Sequence, residues 1–169
     1  MRQRQARHAR QARQRQQDLH AREFEAFVAG AAGRLLHAAT LLTAEPPDAN
    51  PRARSLLTAA LAQTYASWDR LRGEDPYDRA RQELAARFAR SAWRAHHGRG
   101  GVLSALGPQE RLVVVLRLGE GVAEEQTAAL LGLPVERVRA ICARAVAALT
   151  SPPRTRGAAP PATMTGAPP

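Results

Sequence analysis

Residues 124–141 read EEQTAALLGLPVERVRAI, and the spacing of their small and apolar side chains predicts two helices that cross at a steep angle. Ala128 is small enough for the helices to touch, and Gly132 can take the left-handed backbone of a tight turn. Val138 is then placed to pack beside Ala128. This spacing of Ala, Gly and Val is typical of a helix-turn-helix.

The second of these helices, over about residues 134–149, is the one expected to enter the DNA major groove. Its predicted apolar face consists of Val135, Val138, Ile141, Cys142, Ala145 and Leu149. The side chains left for solvent or DNA are Glu136, Arg137, Arg139, Ala140, Ala143 and Arg144. Arginine can pair with guanine or hold a phosphate, and the sequence leaves both open.

Helical patterning continues upstream, and the expected fold class is all-α. Two small helical lobes, residues 21–95 and 103–150, are joined by a linker at 96–102 that contains HHGRGG. The first lobe is predicted to have three helices, with Trp68 in its core and with Asn50 and Asp75 as the N-caps of the second and third. The predicted core positions are Phe24, Phe27, Val28, Ala31, Leu35, Ala38, Ala39, Leu42, Leu57, Leu61, Thr64 or Tyr65, Leu71, Leu84, Phe88, Ser91 and Ala95.

The charge of the chain is concentrated at its N-terminus. The net charge is +10, all 25 Lys and Arg residues are arginine, and residues 1–20 carry +5 from six Arg against Asp18. This basic arm is predicted to be disordered or helical, and either attachment to DNA or RNA phosphates or a merely solvated tail explains it. Residues 151–169, rich in Pro, Ala, Gly and Thr, are predicted to be disordered.

Several function classes lack support in the sequence. Cys142 is the single cysteine, so an internal disulfide and a cysteine metal cluster are excluded, and a reducing cytoplasm is expected. No apolar stretch approaches the roughly 20 residues of a membrane span. His96 and His97 lack a nearby third metal ligand and are interpreted as loop residues. No catalytic arrangement is found, so we expect a soluble, cytoplasmic protein that is not an enzyme and needs no metal or cofactor.

The third helix carries a second candidate for nucleic-acid binding. At 100° per residue, Arg87, Arg90 and Arg94 share an outer face with Trp93 beside them. An indole next to arginines suits stacking on an unpaired base. Packing of Trp93 against another part of the protein is the alternative.

With these motifs, the chain resembles an extracytoplasmic-function (ECF) sigma factor of the sigma-70 family. Residues 103–150 resemble region 4 of that family without a gap. Residues 24–95 resemble region 2 through FEAFV, LLHAATLLT, ALAQTY with the following Trp, and SAWR. Together these stretches cover about 120 of the 169 residues.

The resemblance implies a role for each lobe. Region 2 of such factors holds the polymerase clamp and melts the minus-ten element, and region 4 reads the minus-thirty-five element. The partners implied are promoter DNA and core RNA polymerase, and binding of an anti-sigma factor is left open. The implied minus-thirty-five residues are Glu136, Arg137, Arg139, Ala140 and Arg144; the minus-ten residues Arg87, Arg90, Trp93 and Arg94; and the polymerase-binding residues Ser55, Leu57, Thr58 and Leu61.

Three departures from the family pattern concern region 2 and one helix cap. The usual D-L-V-Q-E run of the clamp-binding helix is replaced by residues 55–59, SLLTA, and the preceding loop AEPPDANP is longer than usual. Ala123 replaces the Ser that usually caps the first helix of the helix-turn-helix. A sigma factor with weakened polymerase binding, a degenerate DNA-binding regulator that acts through a partner, and an RNA-binding or structural adaptor therefore compete.

Overall fold

The computed structural model describes residues 2–71, 73–91 and 100–151, and within these ranges the chain is all-helical, as predicted. The α-helices are α1 Arg2–Thr43, α2 Pro51–Ala66, α3 Pro76–Ser91, α4 Pro108–Val114, α5 Glu124–Leu131 and α6 Val135–Thr150. A 3₁₀ turn at Trp68–Arg70 follows α2, and a π-helical turn at Val115–Gly119 continues α4.

Helix α1 begins well before residue 21, the predicted start of the first lobe. It runs unbroken from Arg2, so the basic arm is the N-terminal part of the same helix. Arg, Gln and Ala, which dominate the arm, are good helix formers, and this composition explains the continuation.

The first lobe is built from α1, α2 and α3. The contacts between these helices bury four side chains, as the periodicity predicted: Leu35, Leu42, Leu84 and Phe88.

Trp68 lies in the 3₁₀ turn rather than in α2. Its ring packs against those of Phe24 at 5.1 Å and Phe27 at 5.4 Å between centroids. The aromatic cluster also includes Tyr65, whereas Thr64 is the fully buried member of that pair. Ser91, expected on the inner face of α3, is exposed instead.

The start of α2 is capped differently from the prediction. Asn50 is at the N-cap position, but its side chain makes no cap hydrogen bond and donates instead to the Thr40 hydroxyl, 3.0 Å away. The Glu45 carboxylate accepts the backbone N–H groups of Arg52 and Ala53 at 3.2 and 2.8 Å. At α3 the prediction is confirmed, since the Asp75 carboxylate accepts the N–H of Tyr77 at 2.9 Å.

The second lobe packs directly against the first. Leu103, Leu112 and Leu116 belong to the same buried cluster as Leu42 and Phe88 of the first lobe. The linker at 96–102 lies mostly outside the described residues, but its end is fixed. The N–H of Gly101 donates to the carbonyl of Ala44 at 3.0 Å.

Helix α1 contains a long apolar segment. By length and composition, the part of α1 from Arg10 to Thr43 is long and apolar enough to cross a membrane. Its residues Leu35, Ala39 and Leu42 are buried against the rest of the protein. A core helix passes the same length test, so this property assigns no membrane role.

Two glycines in the middle of α1 offer a test of this packing. Apart from the adjacent residues and the local backbone of α1 itself, no atom lies within 4 Å of a Cβ built on Gly30 or Gly33. A helix-interior Gly is about 1 kcal/mol less favourable than Ala. Gly30→Ala and Gly33→Ala are each expected to raise the free energy of unfolding by about 0.5–1 kcal/mol in urea titrations.

Gly101→Ala is the matched control, because its Cβ would lie 2.5 Å from the carbonyl carbon of Ala44. This control is expected to lower stability. A loss of stability in the two α1 variants as well would show that the faces of α1 are not arranged as described.

Candidate nucleic-acid interface

The helix-turn-helix predicted from residues 124–141 is confirmed. Ala128 of α5 is 4% exposed and Val138 of α6 is fully buried, and both belong to one small core with Val113 and Ile141. Gly132 ends α5 with φ 64° and ψ 35°, the left-handed conformation that the turn requires. The position of α6 is therefore fixed by buried contacts on one side only.

The other side of α6 is open to solvent. All six residues predicted to face outward are exposed: Glu136, Arg137, Arg139, Ala140, Ala143 and Arg144. Arg137 and Arg144 are seven residues apart and so lie on the same side of the helix. Neither forms an ion pair within the described residues. Leu149, predicted on the apolar face, is 39% exposed, because α6 extends past the elements that cover Ile141 and Ala145.

Arg139 differs from the other two arginines of α6. Its guanidinium donates to the Glu124 carboxylate through Nη2 at 2.8 Å and Nε at 3.2 Å. This hydrogen bond, with the charge of Glu124, raises the pKa of Arg139. Glu124 also lies 3.7 Å from Arg117. The pair ties the exposed face of α6 to the first turn of α5 and gives Arg139 a preferred direction.

The first turn of α5 lacks a side-chain cap. Ala123 holds the N-cap position with extended backbone, φ −61° and ψ 154°, and cannot accept a hydrogen bond through its side chain. Glu124 and Glu125 follow in the first turn, where carboxylates interact favourably with the helix dipole. Helix α5 therefore lacks a side-chain cap, as the sequence predicted.

The second candidate surface, on α3, is only partly described. Arg90 is exposed, as predicted, while Arg87 is half-buried and its Nε has no hydrogen-bond partner among the described residues. Trp93 and Arg94 lie outside the described residues. Of the expected group of three arginines and an indole, the described residues therefore place only Arg90 fully on the surface.

The candidate polymerase-binding residues on α2 fall into two groups. Ser55 and Thr58 are exposed, and Leu61 is half-buried. Leu57 is 8% exposed and packs with Ala31 and Leu35. Its apolar side chain is already used by the core of the first lobe.

A polar cluster between the lobes was missed by sequence reasoning. The Tyr77 hydroxyl donates to the Glu120 carboxylate at 2.8 Å, and Arg34 lies 3.3 Å from the same carboxylate. The Arg34 guanidinium also sits 4.7 Å from the centre of the Tyr77 ring. Burial, together with Glu120, raises the pKa of Tyr77 above its ordinary value. These residues join α1, α3 and the turn after α4 from distant parts of the sequence.

Comparisons with known proteins agree with this architecture. A family model described as Sigma-70, region 4 matches residues 102–150. The RNA polymerase sigma-E factor of Streptomyces coelicolor is 31% identical over 152 residues, covering 75% of this chain and 84% of that protein. The RNA polymerase sigma-E factor of Streptomyces antibioticus is 30% identical over 159 residues, covering 79% of this chain and 86% of that protein. No solved structure matches the chain.

The matches extend well beyond the helix-turn-helix. They cover at least three quarters of the chain and more than four fifths of each relative, so they include the first lobe as well. These matches agree with the resemblance found in residues 24–95 and 103–150. The helical architecture of both lobes is the one that the resemblance implies. The chain belongs to the sigma-70 family, as a factor of the extracytoplasmic-function type.

Proposed function

We propose that this protein is a non-enzymatic transcription initiation factor that binds core RNA polymerase and directs it to promoter DNA. The single observation that carries the proposal is the exposed arginine face of α6 in a region 4 helix-turn-helix. The relatives, each described as an RNA polymerase sigma-E factor, favour this function over a stand-alone regulator. The place of action is then the cytoplasm, with polymerase.

In this proposal α6 lies in the major groove of the minus-thirty-five element. Arg137 and Arg144 project from one side of the helix without protein partners among the described residues, so both are available to guanine or phosphate. Arg139, held by Glu124, contacts DNA from a fixed direction. Glu136 and Ala140 complete the surface.

The minus-ten contact is proposed for the end of α3. Arg90 is exposed there and can hold phosphate, and the half-buried Arg87 lies one helical turn before it. Trp93 and Arg94 follow directly in the sequence and are proposed to lie near the melted strand, where an indole can stack on an unpaired base.

Polymerase binding is proposed for the exposed part of α2, at reduced strength. Ser55 and Thr58 are the exposed positions of the SLLTA run, and neither carries a charge. Loss of a buried charged partner at an interface commonly costs several kcal/mol, about 2–5. Leu57 cannot compensate, because it is buried in the protein itself.

This proposal predicts that the triple change Ser55→Asp, Thr58→Gln and Ala59→Glu tightens binding to core polymerase by at least tenfold. The physical reason is that the new groups can reach basic and amide groups on the clamp surface. A titration of core polymerase with labelled protein measures the binding. Transcription from one promoter, with the wild-type and the variant protein in parallel, measures its consequence.

The matched control is Ala62→Glu with Gln63→Glu, which adds two negative charges to exposed positions of α2 outside the SLLTA run. The control pair is expected to leave binding unchanged. Equal tightening by both variants would show a non-specific charge effect. Tight wild-type binding that the triple change leaves untouched would place the polymerase contact elsewhere.

A further inference from the structure

The part of the basic arm that precedes its first contact with the body, residues 2–19 of α1, is not used by the proposed contacts. From His20 onward α1 touches the body, where the His20 imidazole lies 2.6 Å from the Asp69 carboxylate. Before that point, the described side chains between Gln5 and Leu19 are all exposed. At 1.5 Å per residue the arm projects about 27 Å.

The arm carries positive charge that no carboxylate of the described residues neutralises. Arg7, Arg10, Arg13 and Arg15 are exposed, and within the described residues none of them forms an ion pair. The one acidic residue of the arm, Asp18, accepts a hydrogen bond from Gln14 at 3.0 Å. With alanine as its main apolar residue, the arm has no core-forming face, so a polyanion fits it better than an apolar partner.

The helix fixes how these arginines are arranged. At about 100° per residue, Arg13, Arg10 and Arg7 follow one another around α1 at steps of about 60°. Arg15 lies about 80° beyond Arg7, so the four side chains span an arc of about 200°. A flat anionic surface or a single strand could be reached by only part of this arc. The two phosphate strands that flank a groove of duplex DNA can be reached from both ends of the arc, because the major groove admits an α-helix.

We infer that the N-terminal arm of α1 is a second, sequence-independent DNA-binding surface that lies along a groove of duplex DNA. The arm contacts one phosphate strand through Arg15 and the other through Arg13, with Arg7 and Arg10 between them on the side of the helix that faces the groove. The inference goes beyond promoter reading by α6; only the choice of DNA over RNA rests on the proposed function. The arm then adds affinity without adding discrimination between sequences.

The test measures how binding of the full-length protein to a random-sequence duplex depends on salt, by fluorescence anisotropy without polymerase. The slope of log K against log salt is negative, and each lost phosphate contact reduces its magnitude by about 0.9. Two double variants, Arg7→Gln with Arg15→Gln and Arg10→Gln with Arg13→Gln, are each expected to reduce the magnitude of the slope by about 1.8. Gln preserves helix propensity and is already frequent in the arm, and circular dichroism verifies that the helix remains.

The matched control is Arg52→Gln with Arg70→Gln, which removes the same charge from exposed positions on the body. The control is expected to change the slope by less than one. An equal effect of the control pair would reduce the finding to net charge, and an effect of one arm pair alone would exclude docking in a groove. No effect of either pair would show a solvated arm. Tighter arm-dependent binding to single-stranded RNA would overturn the assignment to DNA.

Loss of promoter selectivity is a separate result. Selectivity is the ratio of promoter to random-duplex affinity, and the arm variants are expected to leave it unchanged because phosphate contacts carry no sequence information. A protein without selectivity but with arm-dependent binding would contradict the proposed role of α6 and leave the arm inference standing.

Discussion

Replacing Arg137 and Arg144 together with alanine is expected to weaken binding to promoter DNA by at least about thirtyfold, since two contacts worth about 1 kcal/mol or more each are lost. Both side chains are exposed on the same side of α6 and make no ion pair within the described residues. Their removal should therefore leave the fold intact. Anisotropy with a promoter duplex measures affinity, and urea denaturation measures stability.

The matched control for this prediction is Arg52→Ala with Arg70→Ala, which removes two exposed arginines outside the helix-turn-helix. The control is expected to cost much less affinity and no selectivity for the promoter. If the α6 pair has no larger effect than the control while the folded protein still binds promoter DNA, α6 is not the recognition helix.

Gly132→Val is expected to lower the free energy of unfolding by about 2–3 kcal/mol. Gly132 has φ 64° and ψ 35°, and a β-branched side chain strongly disfavours that conformation. Apart from the adjacent residues, nothing lies within 4 Å of a Cβ built on this glycine, so the cost comes from backbone strain and not from a clash. DNA binding should fall with it, because the turn sets the position of α6.

Gly132→Asn is the discriminating variant, since Asn tolerates the left-handed region far better than Val. It is expected to cost less than about 1 kcal/mol in urea denaturation. Equal losses for Asn and Val would indicate that the size of the side chain, not the backbone angle, is limiting. Such a result would contradict the turn geometry described here.

The helix-turn-helix could be predicted because its determinants are local. Ala128, Gly132 and Val138 lie within eleven residues, and their spacing alone fixes which side of α6 is buried. The outward direction of Arg137 and Arg144 follows from that assignment. Leu149 was misplaced because helical periodicity does not show where the covering elements end.

Contacts between distant residues could not be predicted in the same way. Tyr77 and Glu120 are 43 residues apart and have no sequence pattern that pairs them, yet they join the two lobes. The Glu45 cap on α2 reaches across a proline-containing loop to Ala53, and a local rule selects Asn50 instead. Leu57 could be assigned either to the core or to a partner, because apolar exposure depends on what α1 covers.

The most direct test of the central claim is run-off transcription by core polymerase, with and without this protein, from a library of promoter sequences. The proposed function predicts transcripts that require the protein and start downstream of one shared sequence, and that are lost with Arg137→Ala and Arg144→Ala. Transcripts that are the same with and without the protein, at concentrations where its binding to core polymerase is saturated, would contradict it.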